Sequence, residues 1–305
     1  MHLGRVRAMR LSVPVYVPSQ RPGRLMALLA PALLCGAVLI GTMYQRILYS
    51  LPLEIMQFFF PALVGLGFGL LCAGVIEHGP CRNPLFGRAL VVAAVLVMWA
   101  TSWATALLLD AQAASPKLDA STLFGQVDLD IFTRWVEARY DAGWTNGRRS
   151  TKGFIVGLSW VAELAVMFVI TAWATRSALQ RCFCEPCQQW LDTRGVSCHG
   201  LTAADAAPLV EAGDLARLLE LRPLEDGVPN MRVALMRHQC GACRQTTYLS
   251  VDEVHTVPTR SGYRDRRRNL LRNAVLPDAL ARRLDARFAE IDAPAPDAPP
   301  AMPAA

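Results

Sequence analysis

Four long apolar stretches constrain this chain more than any other feature. Leu25 to Tyr44 and Ala89 to Leu109 carry no charge, Leu51 to Ile76 carries only Glu54 near its start, and Gly153 to Thr175 carries only Glu163. A helix of about 20 apolar residues crosses ~30 Å of hydrocarbon, and only a helix or closed barrel satisfies its backbone there without water. The expectation is four membrane-spanning helices. Composition agrees, since 18% of the residues are charged, below the ~25% of ordinary soluble domains.

The arginines orient these spans, because positive side chains stay on the cytoplasmic face. The first 24 residues hold Arg5, Arg7, Arg10, Arg21 and Arg24 and no acid. Residues 1–24 therefore read as a basic cytoplasmic tail suited to an anionic lipid surface. Four crossings through residues 25–175 return the chain to the cytoplasm, where Arg176 and Arg181 follow the last span. Arg82 and Arg88 mark the loop between the second and third spans as cytoplasmic too. The loop 110–152 is placed outside, although it balances six basic residues against six acidic ones and has Arg148, Arg149 and Lys152 next to the fourth span. The localisation expected is the bacterial inner membrane, multi-pass, with both termini cytoplasmic.

Within the outer loop, Val127 to Trp144 has the spacing of a short amphipathic helix that ends in a turn at Asn146-Gly147. Two placements suit it: on the bilayer surface with Trp135, Tyr140 and Trp144 at headgroup level, or as a cap over the bundle. Glu54 is expected at the outer interface, in water. Glu163 lies mid-span, where acids are expensive and mark ion or proton paths. The structural reading, which the lack of a second charge at matching depth favours, has it protonated or hydrogen-bonded to Ser159 or to a polar residue of a neighbouring helix. Gly65-x-x-x-Gly69 in the second span is the spacing that lets two helices approach closely.

Six of the nine cysteines lie between residues 182 and 243. Cys184-Glu-Pro-Cys187 and, about fifty residues later, Cys240-Gly-Ala-Cys243 form two Cys-x-x-Cys knuckles. Each knuckle turns two thiolates to one side, and two knuckles supply the four tetrahedral sulfurs that zinc prefers. Cys184, Cys187, Cys240 and Cys243 are the expected ligands of a structural Zn2+. Cys182, Cys198, His199 and His238 stand close enough in sequence to replace or extend the set. Iron on four thiolates is an electron-carrying alternative. Dithiol cycling is another, although no thioredoxin-like pattern surrounds either knuckle. A closed four-sulfur site has no open position and stabilises a fold without activating water.

Met231 to His238 and Gln245 to Val254 are β-compatible runs flanking the second knuckle. This strand, knuckle, strand pattern resembles zinc ribbons. The fold class expected is thus a membrane α-helical bundle of four transmembrane helices followed by a small α+β zinc-ribbon-like domain, residues 176–258. An insert at 202–222 is helical, with a capping box at Thr202-x-x-Asp205 and Asp214 capping Leu215 to Leu221. Residues 259–305 then read as a basic helical arm, with Arg260, Arg264, Arg266, Arg267, Arg268 and Arg272 ahead of a helix from Pro277 to Ile291, and a disordered Pro/Ala tail.

Arg82-Asn83-Pro84, Gly143-Trp144, Trp160-x-x-Glu163 and Cys184-x-x-Cys187, taken in order, resemble a loose group of uncharacterised bacterial four-span membrane proteins with a C-terminal zinc-ribbon-like cytoplasmic domain. The resemblance covers residues 25–254 and implies architecture alone. No Ser-His-Asp arrangement, phosphate-binding glycine loop or His-Glu-x-x-His motif appears. The function expected is a membrane-anchored, zinc-binding interaction or scaffold protein. Its partners would be the lipid bilayer, a cytoplasmic protein and a second copy of the chain through the glycine face; nucleic acid is not expected. A small transporter or channel-like protein working through Glu163, and an enzyme whose site escapes motif reading, are the alternatives.

Overall fold

The computed structural model describes residues 13–50, 56–115, 128–146, 149–224, 227–228, 230–260 and 262–292. Glu54, the turn at Gly147 and the Pro/Ala tail lie outside them, as do Arg5, Arg7 and Arg10. The chain divides into two compact units, one of Pro18–Arg181 and one that joins the segment through Val17 to Cys182 onward.

In the first unit, α1 (Met26–Ser50), α2 (Met56–His78), α3 (Pro84–Ala114) and α5 (Phe154–Thr175) are long and apolar enough to cross a membrane. The Arg82-Asn83-Pro84 motif is the start of α3. Asn83 accepts the Phe86 N–H at 2.9 Å, and Pro84 occupies the first turn, where a missing N–H is harmless. At 31 residues, α3 runs ~46 Å and so outreaches the ~30 Å hydrocarbon core. The helices pair as α1 with α3 and α2 with α5. The expected glycine spacing makes the second pairing possible: a Cβ on Gly65 would lie 3.1 Å from Met167 Cα, and one on Gly69 only 2.7 Å from Ala174 Cβ. Thr171 Oγ1 donates to the Gly65 carbonyl at 3.0 Å across the same seam. Outward-facing side chains stay apolar and bare, with Leu28 72%, Val161 65% and Trp173 69% exposed.

One end of this unit gathers basic residues. Arg82 N–H donates to the Arg21 carbonyl, and Arg181 pairs with Glu77 at 3.2 Å. The opposite end carries α4 (Leu129–Ala142), the expected amphipathic helix, N-capped by Asp128. A short hairpin, β1 (Trp144–Asn146) and β2 (Arg149–Thr151), follows it. α4 touches the bundle, as the cap placement requires, while burying none of its own residues. Trp135 packs edge-on against Trp103 and donates Nε1 to Asp110 at 3.0 Å, and Tyr140 lies against Trp160.

The second unit begins with a minimal hairpin, β3 (Phe183–Cys184) and β4 (Gln189–Trp190). A four-stranded antiparallel sheet follows: β5 (Asp192–His199), β6 (Met231–Gln239), β7 (Thr247–Thr259) and β8 (Gly262–Val275), in that order. Both helices of the insert form where expected, α6 (Ala203–Ala212) with its Thr202–Asp205 capping box and α7 (Leu215–Glu220) capped by Asp214. With α8 (Asp278–Asp292) they supply Ala206, Val210, Leu218, Leu284 and Phe288 to a core whose sheet side includes a row across all four strands. That row is Val196, Leu235, Val251 and Leu271, each directly opposite the next. Burying such a side chain contributes ~1.5–3 kcal/mol.

Two expectations change here. The six-arginine stretch is not the start of a helical arm but most of strand β8. β7 and β8 outlast their neighbours, and their far ends, from Thr256 opposite Asp265 to Thr259 opposite Gly262, form a two-stranded ribbon beyond the end of β6. Such a ribbon needs no apolar alternation, so its charge concealed its conformation. The basic tail 1–24 is also divided, because residues 13–17 continue the sheet along β8. Tyr16 N–H donates to the Asn273 carbonyl and Val275 N–H to the Pro14 carbonyl, both at 2.8 Å. This covers an edge strand that would otherwise be open to pairing.

Candidate metal centre

The second knuckle occupies the turn between β6 and β7, and the first lies in the β3–β4 hairpin. Both turn the chain in the same way. The residue after the second cysteine is left-handed in each, Gln188 at φ 53° and Arg244 at φ 56°. Backbone amides then point at the sulfurs: those of Cys243 and Ala242 at Cys240, those of Gln245 and Thr246 at Cys243, and that of Cys187 at Cys184.

The fold brings the two knuckles together. The Sγ atoms of Cys184, Cys187, Cys240 and Cys243 all lie within 4.8 Å of one another. Cys184 and Cys243 are 3.8 Å apart, nearly twice the ~2.05 Å of a disulfide. A tetrahedron with metal–sulfur bonds of ~2.3 Å has edges of ~3.8 Å. The spacing therefore fits a four-thiolate metal ion, and all four cysteines are free thiols. Cys184 and Cys240 are fully buried, while Cys187 and Cys243 are half-buried.

The polar surroundings favour thiolates. Gln189 Nε2 donates to Cys240 Sγ at 3.1 Å, and Thr246 Oγ1 stands 3.6 Å from Cys184 Sγ. Burial pushes the Cys240 thiol up, but the Cys243 amide, the Gln189 amide group and the Ala242 amide together bring it down to about 6. The Gln245 and Thr246 amides lower Cys243. The first knuckle holds its protons more tightly: its hydrogen bond to Cys243 raises Cys187 to about 12, and burial raises Cys184. Such a set would bind a cation with release of the protons that its thiols still hold. Hydrogen bonds to the sulfurs then disperse the excess negative charge.

The substitute ligands considered from sequence do not join the group of four sulfurs. Cys182 is packed beneath the site, its thiol pushed up to about 12 by burial. Cys198 belongs to the sheet core and accepts from Arg287 Nη2 at 2.9 Å. His238 bridges Thr193 Oγ1 at 2.9 Å and Ser250 Oγ at 3.0 Å. His199 ends β5 opposite Arg232, at the other end of β6 from the second knuckle. Among the described residues, only the four knuckle cysteines form such a group.

Glu163 stands apart in the four-helix unit. Tyr44 of α1 donates its hydroxyl to Glu163 Oε1 at 2.5 Å, whereas Ser159, the partner expected one turn away, donates to the Val156 carbonyl. Neither Tyr44 nor the Asp110–Arg139 pair near it was singled out from sequence. Tyr44 closes the first apolar stretch and Asp110 opens the loop, so their one visible signal was a polar residue at a span end. Comparison with protein-family models, with curated proteins and with solved structures gives no match to the chain, so the chemistry of both sites rests on their own geometry.

Proposed function

We propose that this chain is a membrane-anchored zinc protein of the bacterial inner membrane, with both termini cytoplasmic, in which a four-thiolate site stiffens a docking module. The four apolar helices hold the chain in the bilayer, with their basic end toward the cytoplasm. The sheet unit is a zinc-ribbon-like module enlarged by strands and helices, in keeping with the resemblance to bacterial four-span proteins of that plan. Its soluble partner is a protein with an acidic surface, because strand β8 presents exposed Arg264, Arg266, Arg267 and Arg268. Four thiolates leave the ion no open position, so the metal supplies rigidity and the activity is binding.

The observation that carries this reading is the convergence of four sulfurs within 4.8 Å from two knuckles distant in sequence. Elemental analysis of the purified full-length chain tests it. One zinc per chain is expected, falling to near zero in Cys240→Ser. Iron in equal stoichiometry would make the site an electron carrier, and metal-free protein with intact thiols would end the reading.

A further inference from the structure

The four-helix unit holds a cavity of about 550 Å3 at the end that carries α4, lined from α1, α3, α4 and α5. This is within the ~300–1,000 Å3 of sites that enclose small organic ligands. Its walls mix charge with aromatic surface. Trp103 stands at their centre, edge-on to Trp160 with ring centroids 4.8 Å apart and to Trp135 at 5.9 Å. Glu163 lines it about 14 Å along α5 from Phe154, deep for a carboxyl group in an apolar helix.

The charges in this cavity do not cancel. Asp110 is fully engaged: Oδ2 accepts from Arg139 Nε at 2.9 Å and from Trp135 Nε1 at 3.0 Å, and Oδ1 accepts from Arg139 Nη2 at 3.1 Å. Arg139 and Asp110 therefore neutralise each other. Glu163 has a single partner among the described residues, the neutral Tyr44 hydroxyl on Oε1. Its charge, when ionised, is matched by no further cation among the described residues that line the cavity, where Arg139 is already paired with Asp110. An arriving anion would meet an arginine already held bidentate and a carboxylate facing it.

Two features select the kind of cation. A bare metal ion takes several oxygen ligands at once, whereas both Asp110 oxygens are already held by Arg139 and Trp135, one Glu163 oxygen is held by Tyr44, and the other polar walls, Gln45 and Tyr49, are neutral. Indole faces attract an ammonium ion instead, most strongly once it is desolvated. The protein already uses this attraction within the cavity, because the Arg139 guanidinium lies 5.1 Å over the Trp135 ring. We infer that the cavity is a binding site for a small organic ammonium ion, with Glu163 as its counter-charge and Trp103 and Trp160 as its walls. The site does not depend on the metal centre, so the two readings stand or fall separately.

Three aromatic probes of similar size and different charge test it on the full-length protein in phosphatidylcholine nanodiscs: benzyltrimethylammonium, benzyl alcohol and benzoate. Calorimetry and tryptophan fluorescence report binding. Benzyltrimethylammonium is expected to bind saturably and about tenfold or more tighter than either other probe, the ratio that ~1.4 kcal/mol of charge recognition gives. E163Q should abolish that preference while zinc content and elution volume stay unchanged. Equal binding of the three probes, a preference for benzoate, or an ammonium preference that survives E163Q would each overturn the inference. If E163Q does not fold, the ranking of the probes on the native protein still decides.

Discussion

The two units solve opposite problems with the same apolar residues. The four-helix unit turns leucine, valine and phenylalanine outward and keeps Glu163, Tyr44, Asp110 and Arg139 within. The sheet unit buries Val196, Leu235, Val251 and Leu271 in one row and turns its arginines out. Each is therefore held by different forces. In the bilayer proposed above, helix association has no hydrophobic gain, and close backbone approach and internal hydrogen bonds would hold the first unit. Water supplies that gain to the second, where the four-sulfur group could hold a metal just where the smallest hairpins have too little core to stand alone.

The sharpest break between them is metal removal. Structural zinc in small sites contributes on the order of 10 kcal/mol, and the sulfurs of this site tie the β3–β4 hairpin to the β6–β7 turn. Chelation, or Cys240→Ser, should open residues around the knuckles to protease while the helices from Met26 to Thr175 stay resistant. Mass spectrometry of the fragments checks this. Equal cleavage throughout both units would mean that they are not independent in stability.

A second break works through packing. Leu235 is fully buried between Val196 and Val251, and Leu235→Ala should cost about 2–5 kcal/mol in the sheet unit alone. Hydrogen exchange should report it as faster exchange in β5 to β8, with α1 to α5 unchanged. The matching experiment in the bundle is Gly69→Val. Its Cβ would fall 2.7 Å from Ala174 Cβ and 3.0 Å from Thr171 Cα. Forcing the helices apart should cost about 1–3 kcal/mol, seen as easier unfolding in detergent, with zinc content unchanged.

Legibility followed the same division. The spans, the α6 capping box and the four sulfurs were readable because each is a local pattern with one physical solution. Apolar runs of this length must be helices, Thr202 and Asp205 satisfy each other's backbone, and paired cysteines want one ion. Partners at long range were not readable. Nothing local tells that Tyr44 reaches Glu163 across 119 positions, or that Arg287 of α8 donates to the Leu219 carbonyl at the end of α7 and to Cys198. Strands β5 and β8 were missed for a related reason. Asp192–His199 buries only Val196 and Cys198, and most of β8 buries nothing, so neither shows the alternation by which a half-buried strand is recognised.

The smallest expected effect probes the exposed end of that same ribbon. Asp265 on β8 accepts from Thr256 Oγ1 at 2.7 Å and pairs with Arg232, and these bonds hold its carboxyl below the usual carboxylate range. A depressed carboxyl contributes stability that is complete above its unfolded pKa of about 3.9 and is lost as pH falls through the folded value. The site is open to solvent, so the pair contributes little and weakens in salt. Asp265→Asn should therefore lower sheet stability slightly at neutral pH and leave it unchanged near pH 3. Unfolding curves at the two pH values, with zinc present at neutral pH and both proteins metal-free at the lower one, make the comparison. A difference that persists at low pH would show that Asp265 acts through ribbon geometry and not through its charge.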